Sequence, residues 1–146
     1  MLTVFLLNVA ATWALVGLIW IVQIVHYPLF NLIGSERFRE YHARHTRTIT
    51  WIVAPLMFTE VVTAAMLVLG RIWDPWLLAS YPLLAFNWLS TWLIQVPQHQ
   101  QLSEGYDQEV WRKLVRLNWL RTAAWSLRGV CVLVALYHHL SETTPA

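Results

Sequence analysis

Charge is scarce in this chain. Lysine occurs once, cysteine occurs once, and charged side chains make up 12% of the 146 residues, about half the ~25% found in soluble domains. So few charges cannot clothe a water-facing surface, which excludes an ordinary soluble domain. One lysine against nine arginines, with a net charge of +2, excludes nucleic-acid binding, which needs a basic patch on a soluble face. The lone Cys131 lies inside an apolar block and can build neither a disulfide framework nor a thiolate metal site. Residues 2–25 carry no charge and lack both the basic leader and the small-residue cleavage site of a removable signal peptide, so this block is expected to remain as a membrane span.

What the chain has instead is apolar length. Hydrophobic residues make up 58%, against ~45–50% in soluble domains. They fall in four blocks, each with the ~20 residues of helix that a bilayer crossing needs. The expected fold is an all-α integral membrane four-helix bundle, one domain, with spans at about 2–26, 48–69, 76–96 and 119–138. Pro28 and Pro97 are expected to close the first and third spans, and Pro55 and Pro82 to bend the second and third. Asp107 is a candidate N-cap for the last helix. Helices two and four read as extended into the cytoplasm, because their first turns carry Arg37, Arg39, Arg44 and Arg47, and Arg112, Lys113 and Arg116. The positive-inside rule then puts both termini outside and the protein in the cell inner membrane. His138 and His139 fall at the opposite end, where solvation is expected. Most of the ten tryptophans read as packing residues.

Polar groups within the apolar blocks sort by depth. At 1.5 Å per residue, His45 and Glu60 lie roughly 22 Å apart along helix two, so they form two layers. The cytoplasmic layer holds Gln23, His26, His42, His45, Gln95, His99, Asn118 and Arg121, and the mid-membrane layer holds Glu60, Asn87 and Arg128. Glu60 and Arg128 are expected to face one another, since a lone charge at mid-bilayer costs at least ~2.5–3.5 kcal/mol. In the cytoplasmic layer His26, His45 and His99 are expected to converge, with His42 one turn further out. Imidazoles without thiolate suit zinc, copper, iron or an axial position on haem, which makes His26, His42, His45 and His99 candidate metal ligands. No His-x-x-x-His or Glu-x-x-His signature occurs, and a cofactor-free site in which the histidines move protons stands beside the metal reading. Gln23, Glu60, Asn87, Gln95 and Arg128 are candidate substrate-binding groups. The plain alternatives are headgroup hydrogen bonds for the histidines and membrane topology for the arginines.

The hairpins echo one another: Trp20-Ile-Val-Gln23-Ile before His26 parallels Trp92-Leu-Ile-Gln95-Val before His99, the pattern of a parallel repeat. The segment Pro97-Gln98-His99-Gln100-Gln101-Leu102, followed by Asn118-Trp119-Leu120-Arg121-Thr122, resembles the second half of the anthrone-oxygenase-like family of small four-span membrane proteins. In that family a Pro-x-Asn-x-x-Leu turn precedes a helix with His or Asn three residues before Arg-Thr; here His99 stands where the turn asparagine would be. The resemblance covers about half the chain. It implies the four-span fold and an oxygenase acting on an aromatic or quinone-like molecule, and its residues His99, Asn118 and Arg121 become candidate catalytic groups. Three function classes follow: a membrane oxidoreductase or oxygenase with a lipophilic substrate, a small carrier using Glu60 and Arg128, and a non-catalytic subunit docked on a membrane-protein partner or on further copies of itself. All share the lipid bilayer as a partner.

Overall fold

Within a bilayer every backbone N–H and C=O must be satisfied inside the protein, and each apolar block is accordingly helical. The computed structural model describes residues 1–143, which form α1 (Leu2–Phe30), α2 (Ser35–Leu69), α3 (Pro75–Ser103) and α4 (Gln108–Thr143). All four are long and apolar enough to cross a membrane, and the protein is an all-α integral membrane four-helix bundle.

The helix ends follow local chemistry. After the turn at residues 31–33, Gly34 is extended at ψ 143° and stands at the N-cap position of α2. At the other end of α2 the chain reverses through Arg71 at φ 56°, with its N–H on the Val68 carbonyl at 3.0 Å and that of Ile72 on the Leu67 carbonyl at 3.2 Å. This is the paired bonding of a Schellman ending, with arginine in the left-handed position that glycine usually takes. Asp74 caps α3, accepting from the N–H groups of Trp76 and Leu77 at 2.8 and 3.0 Å, and Pro75 takes the first turn, where its missing N–H costs nothing. Asp107 caps α4 through Glu109 and Val110 at 2.8 and 3.0 Å.

The two prolines do not close their helices. α1 continues through Pro28 to Phe30 and α3 through Pro97 to Ser103. Each proline is preceded by a π turn, Val22–His26 in α1 and Thr91–Gln95 in α3. There the residue before the proline donates to a carbonyl five positions back, Tyr27 to Val22 and Val96 to Thr91. The wider turn carries the carbonyl four residues before the proline clear of its ring, removing the clash that would otherwise break the helix.

α1 packs on α2 and α4, and α4 packs on α1 and α3; α2 and α3 approach one another chiefly through residues 96–103. Three apolar clusters stack along the bundle. Phe5, Leu67, Leu77 and Val132 fill one end, Leu15, Ile19, Met57 and Trp125 the middle, and Tyr27, Phe30, Phe38, Leu102 and Leu114 the histidine end. Polar layers lie between the clusters.

His138 is not simply solvated: its Nδ1 lies 2.8 Å from a carboxylate oxygen of Asp74, tying the end of α4 to the start of α3. Burial raises the Asp74 pKa, but hydrogen bonds from His138 and from the backbone of Leu77 and Trp76 outweigh it and hold the carboxyl below its ordinary value. A carboxyl lowered in the folded state adds stability above its unfolded pKa, and that stability is lost as pH falls through the folded one. Asp74→Ala is therefore expected to cost about 1 kcal/mol at neutral pH, with the gap to wild type closing below about pH 4, read from thermal unfolding in detergent across pH. A gap independent of pH would leave the ionised cap without a role.

Candidate functional site

The π turn of α1 ends at His26 and that of α3 at Gln95. In each case the turn and the proline after it direct the last helical turns inward over the start of α2 and α4. Tyr27 and Phe30 reach the core from α1, His42 from α2, and Leu102 from α3, with Gln95 and Gln98 also buried.

The four histidines form two pairs. His42 Nε2 and His99 Nδ1 are 3.0 Å apart, and the buried His42 ring stacks on Phe38 and meets Phe30 edge-on. His26 and His45 form the second pair, with ring centroids 5.3 Å apart, and Phe30 touches His45 as well as His42. The expected convergence of His26, His45 and His99 thus divides. His99 also lies 3.2 Å from the Tyr27 hydroxyl, while the Ser103 hydroxyl donates to the His99 carbonyl at 2.8 Å and lies 3.5 Å from His42 Nδ1. One assignment satisfies every bond with neutral rings: Tyr27 O–H donates to His99 Nε2, His99 Nδ1–H to His42 Nε2, and His42 Nδ1–H to Ser103. The result is a directed chain from the buried Tyr27 to the exposed Ser103.

In that assignment the ring lone pairs of His42 and His99 are both taken. Among the described residues no three His, Cys, Asp or Glu side chains are placed to hold a metal ion. His26, His42, His45 and His99 are therefore neighbours without a common focus, and they do not form a three-ligand metal set.

Beside this chain lies a second network. Asn118 donates to Gln23 Oε1 at 2.8 Å, Gln23 donates to the Val115 carbonyl at 3.3 Å, and Arg121 donates to Asn118 Oδ1 at 3.0 Å and to Thr91 at 3.1 Å. The Arg121 guanidinium also sits 4.9 Å over the Trp125 ring. Arg121 is 6% exposed, yet neither ion pair among the described residues includes it. Its Nε has no hydrogen-bond partner, nor does either amide atom of the buried Gln95. Both side chains line a cavity of about 900 Å³ that runs where α2 and α3 separate. Tyr27, Thr91 and His99 share its polar end, and Leu15, Ile19, Met57, Phe58, Trp88 and Trp92 are among its apolar walls. His45 stands between this cleft and a second cavity against α1 and α2, lining both.

The mid-membrane groups are built differently. Glu60 and Arg128, both 0% exposed, pair at 2.8 Å. Thr12 and Trp125 donate to the Glu60 carboxylate at 2.9 and 3.4 Å. Arg128 donates to the carbonyl and hydroxyl of Ser80 at 3.1 and 2.8 Å and to Asn8 at 3.4 Å. Neither residue lines either of these two cavities, and the pair, satisfied from all four helices, ties the bundle together. Asn87 is buried in α3 with both amide atoms unpartnered and lies outside the pair's network; Gln23 acts through Asn118. Of the expected substrate-binding groups, Gln95 alone lines the large cleft.

The chain matches no family model, no curated protein and no solved structure. Its site therefore stands on its own geometry.

Tyr27, Thr91, Ser103 and Trp125 were not singled out from the sequence. Thr91 and Ser103 are small hydroxyls with no motif around them. Tyr27 carried a weak signal as an aromatic hydroxyl between His26 and Pro28.

Removing one partner from a buried ion pair leaves an uncompensated charge, at about 3–5 kcal/mol. Arg128→Gln is expected to fall in that range, and Glu60→Gln/Arg128→Gln to lose clearly less than the sum of the single losses. Denaturation of the four proteins in one detergent measures this, and strict additivity would mean that the two side chains do not act as a pair.

Proposed function

We propose that this protein is a membrane-embedded oxidoreductase of oxygenase type, drawing a lipophilic aromatic molecule with a phenolic or carbonyl oxygen from the bilayer into the α2–α3 cleft. The observation that carries the reading is Arg121: a buried guanidinium without a carboxylate, its Nε unpartnered, on the wall of an apolar cavity. Buried charges are ordinarily paired, and a substrate oxygen on which negative charge develops supplies what this one lacks. Gln95, with a free donor and a free acceptor beside it, fits a molecule that presents both a carbonyl and a hydroxyl.

Tyr27 and His99 line the same cleft, and on this reading His99 is the proton acceptor through the Tyr27 hydroxyl bonded to its Nε2. A phenol or an activated methylene gives its proton to the Tyr27 oxygen as Tyr27 passes its own to His99 Nε2, Arg121 and Gln95 hold the resulting oxyanion, and the bonded chain through His42 to Ser103 holds the proton until it returns to the oxygen atom that leaves as water. Dioxygen is the electron acceptor. For an activated methylene both C–H bonds break, one oxygen atom forms the new carbonyl, and the other leaves as water with the two hydrogens. Asn118 is a positioning residue that holds Arg121 against α1 through Gln23. The histidine end faces the cytoplasm on this reading, since Arg37, Arg39, Arg44 and Arg47 lie beside it.

The test is dioxygen uptake and quinone formation by protein in nanodiscs, with a hydroxylated anthrone as the probe. Arg121→Gln is expected to lose ~10²-fold or more, as removal of an oxyanion donor does, and His99→Gln ~10²–10⁴-fold, with helical content unchanged. Folded variants that turn over as wild type does, or a wild type that neither binds nor oxidises the probe, would reject the assignment.

A further inference from the structure

The second cavity, about 720 Å³, lies on the opposite side of the α1–α2 contact and has a different character. Its inner part is apolar, with Trp13, Gly17 and Ile21 on α1, and its outer part carries His26, Tyr41 and Arg44. From Trp13 to His26 the groove spans about 20 Å by helix rise, against the ~15 Å that one leaflet contributes to a ~30 Å hydrocarbon core. It is therefore as long as one leaflet plus the start of its headgroup layer, with apolar residues at depth and polar ones where headgroups lie.

Three features identify what such a groove holds. Arg44 is exposed, and neither ion pair among the described residues involves it; Arg37, two turns before it, and Arg47, one turn after, add positive charge along α2. The His26 Nδ1 is buried and has no partner. Gly17 lines the groove, and a Cβ built on it meets nothing within 4 Å, so the floor is open space beside a backbone. We infer that this groove binds one anionic phospholipid, with an acyl chain along Gly17 and Trp13 and its phosphate held by Arg44, His26 and the Tyr41 hydroxyl. A cationic mouth above an apolar slot is complementary in charge and depth to such a lipid, and the binding does not depend on the chemistry assigned to the other cleft.

The experiment is native mass spectrometry of the protein released from nanodiscs of equimolar phosphatidylglycerol and phosphatidylcholine. Wild type is expected to retain one phosphatidylglycerol in preference. Arg44→Gln is expected to reduce that preference about fivefold, the effect of one basic residue at a membrane surface, and Arg71→Gln at the far end to leave it unchanged. Gly17→Leu, placed in open space, is expected to abolish retention with melting temperature and helical content intact. Equal retention of the two lipids, equal effects of Arg44→Gln and Arg71→Gln, or full retention in Gly17→Leu would each overturn the assignment. So would a wild-type dimer that Gly17→Leu converts to monomer, since a second copy would then fill the groove.

Discussion

A charge taken out of water must find compensation inside the protein, and this bundle meets that demand in two opposite ways. Arg128 is compensated in full: Glu60 neutralises it, Ser80 and Asn8 accept its remaining bonds, and Thr12 and Trp125 complete the carboxylate. Those contacts come from all four helices, so the pair also sets their register. Arg121, two turns nearer the histidine end, has only neutral partners and an aromatic face. One arginine is closed by the fold, and the other is left open toward a cavity.

The helix interruptions explain why the open arginine has company. An α-helix carrying a proline four residues past a carbonyl must break or bend, and here both odd-numbered helices widen into a π turn six to two positions before the proline. The extra residue rotates everything beyond it by about 100°. In α1 that rotation carries Tyr27 and Phe30 into the core, and in α3 it turns Gln98 and Leu102 inward beside His99. π turns recur at functional sites for this reason: they re-aim side chains without ending the helix.

Packing is unequal around the bundle. α1 meets α4 along its length, whereas the corresponding α2 and α3 contact is made chiefly by residues 96–103. The sequence echo around Trp20 and Trp92 suggested like hairpins; the structure keeps the likeness in the π turns and loses it in this contact. Closing α2 on α3 would bury the apolar walls and leave Arg121 and Gln95 enclosed without partners. The separation leaves the cleft beside those groups open from the side, while Ser103 stands at the exposed end of the same site.

By itself the sequence determined the four spans, the Asp107 cap and the depth of each polar residue. These are local properties, set by apolar run length and by a rise of 1.5 Å per residue. Depth also foretold the meeting of Glu60 with Arg128, because two opposite charges in one mid-membrane layer have no cheaper place to go. Tertiary structure alone decided which histidines pair, that Arg121 lacks a carboxylate while Arg128 has one, and that a cleft opens between α2 and α3. Those outcomes depend on the direction in which a side chain points around its helix and on which helix stands opposite. Both change with a single π turn, and neither is written in a residue's position along the chain.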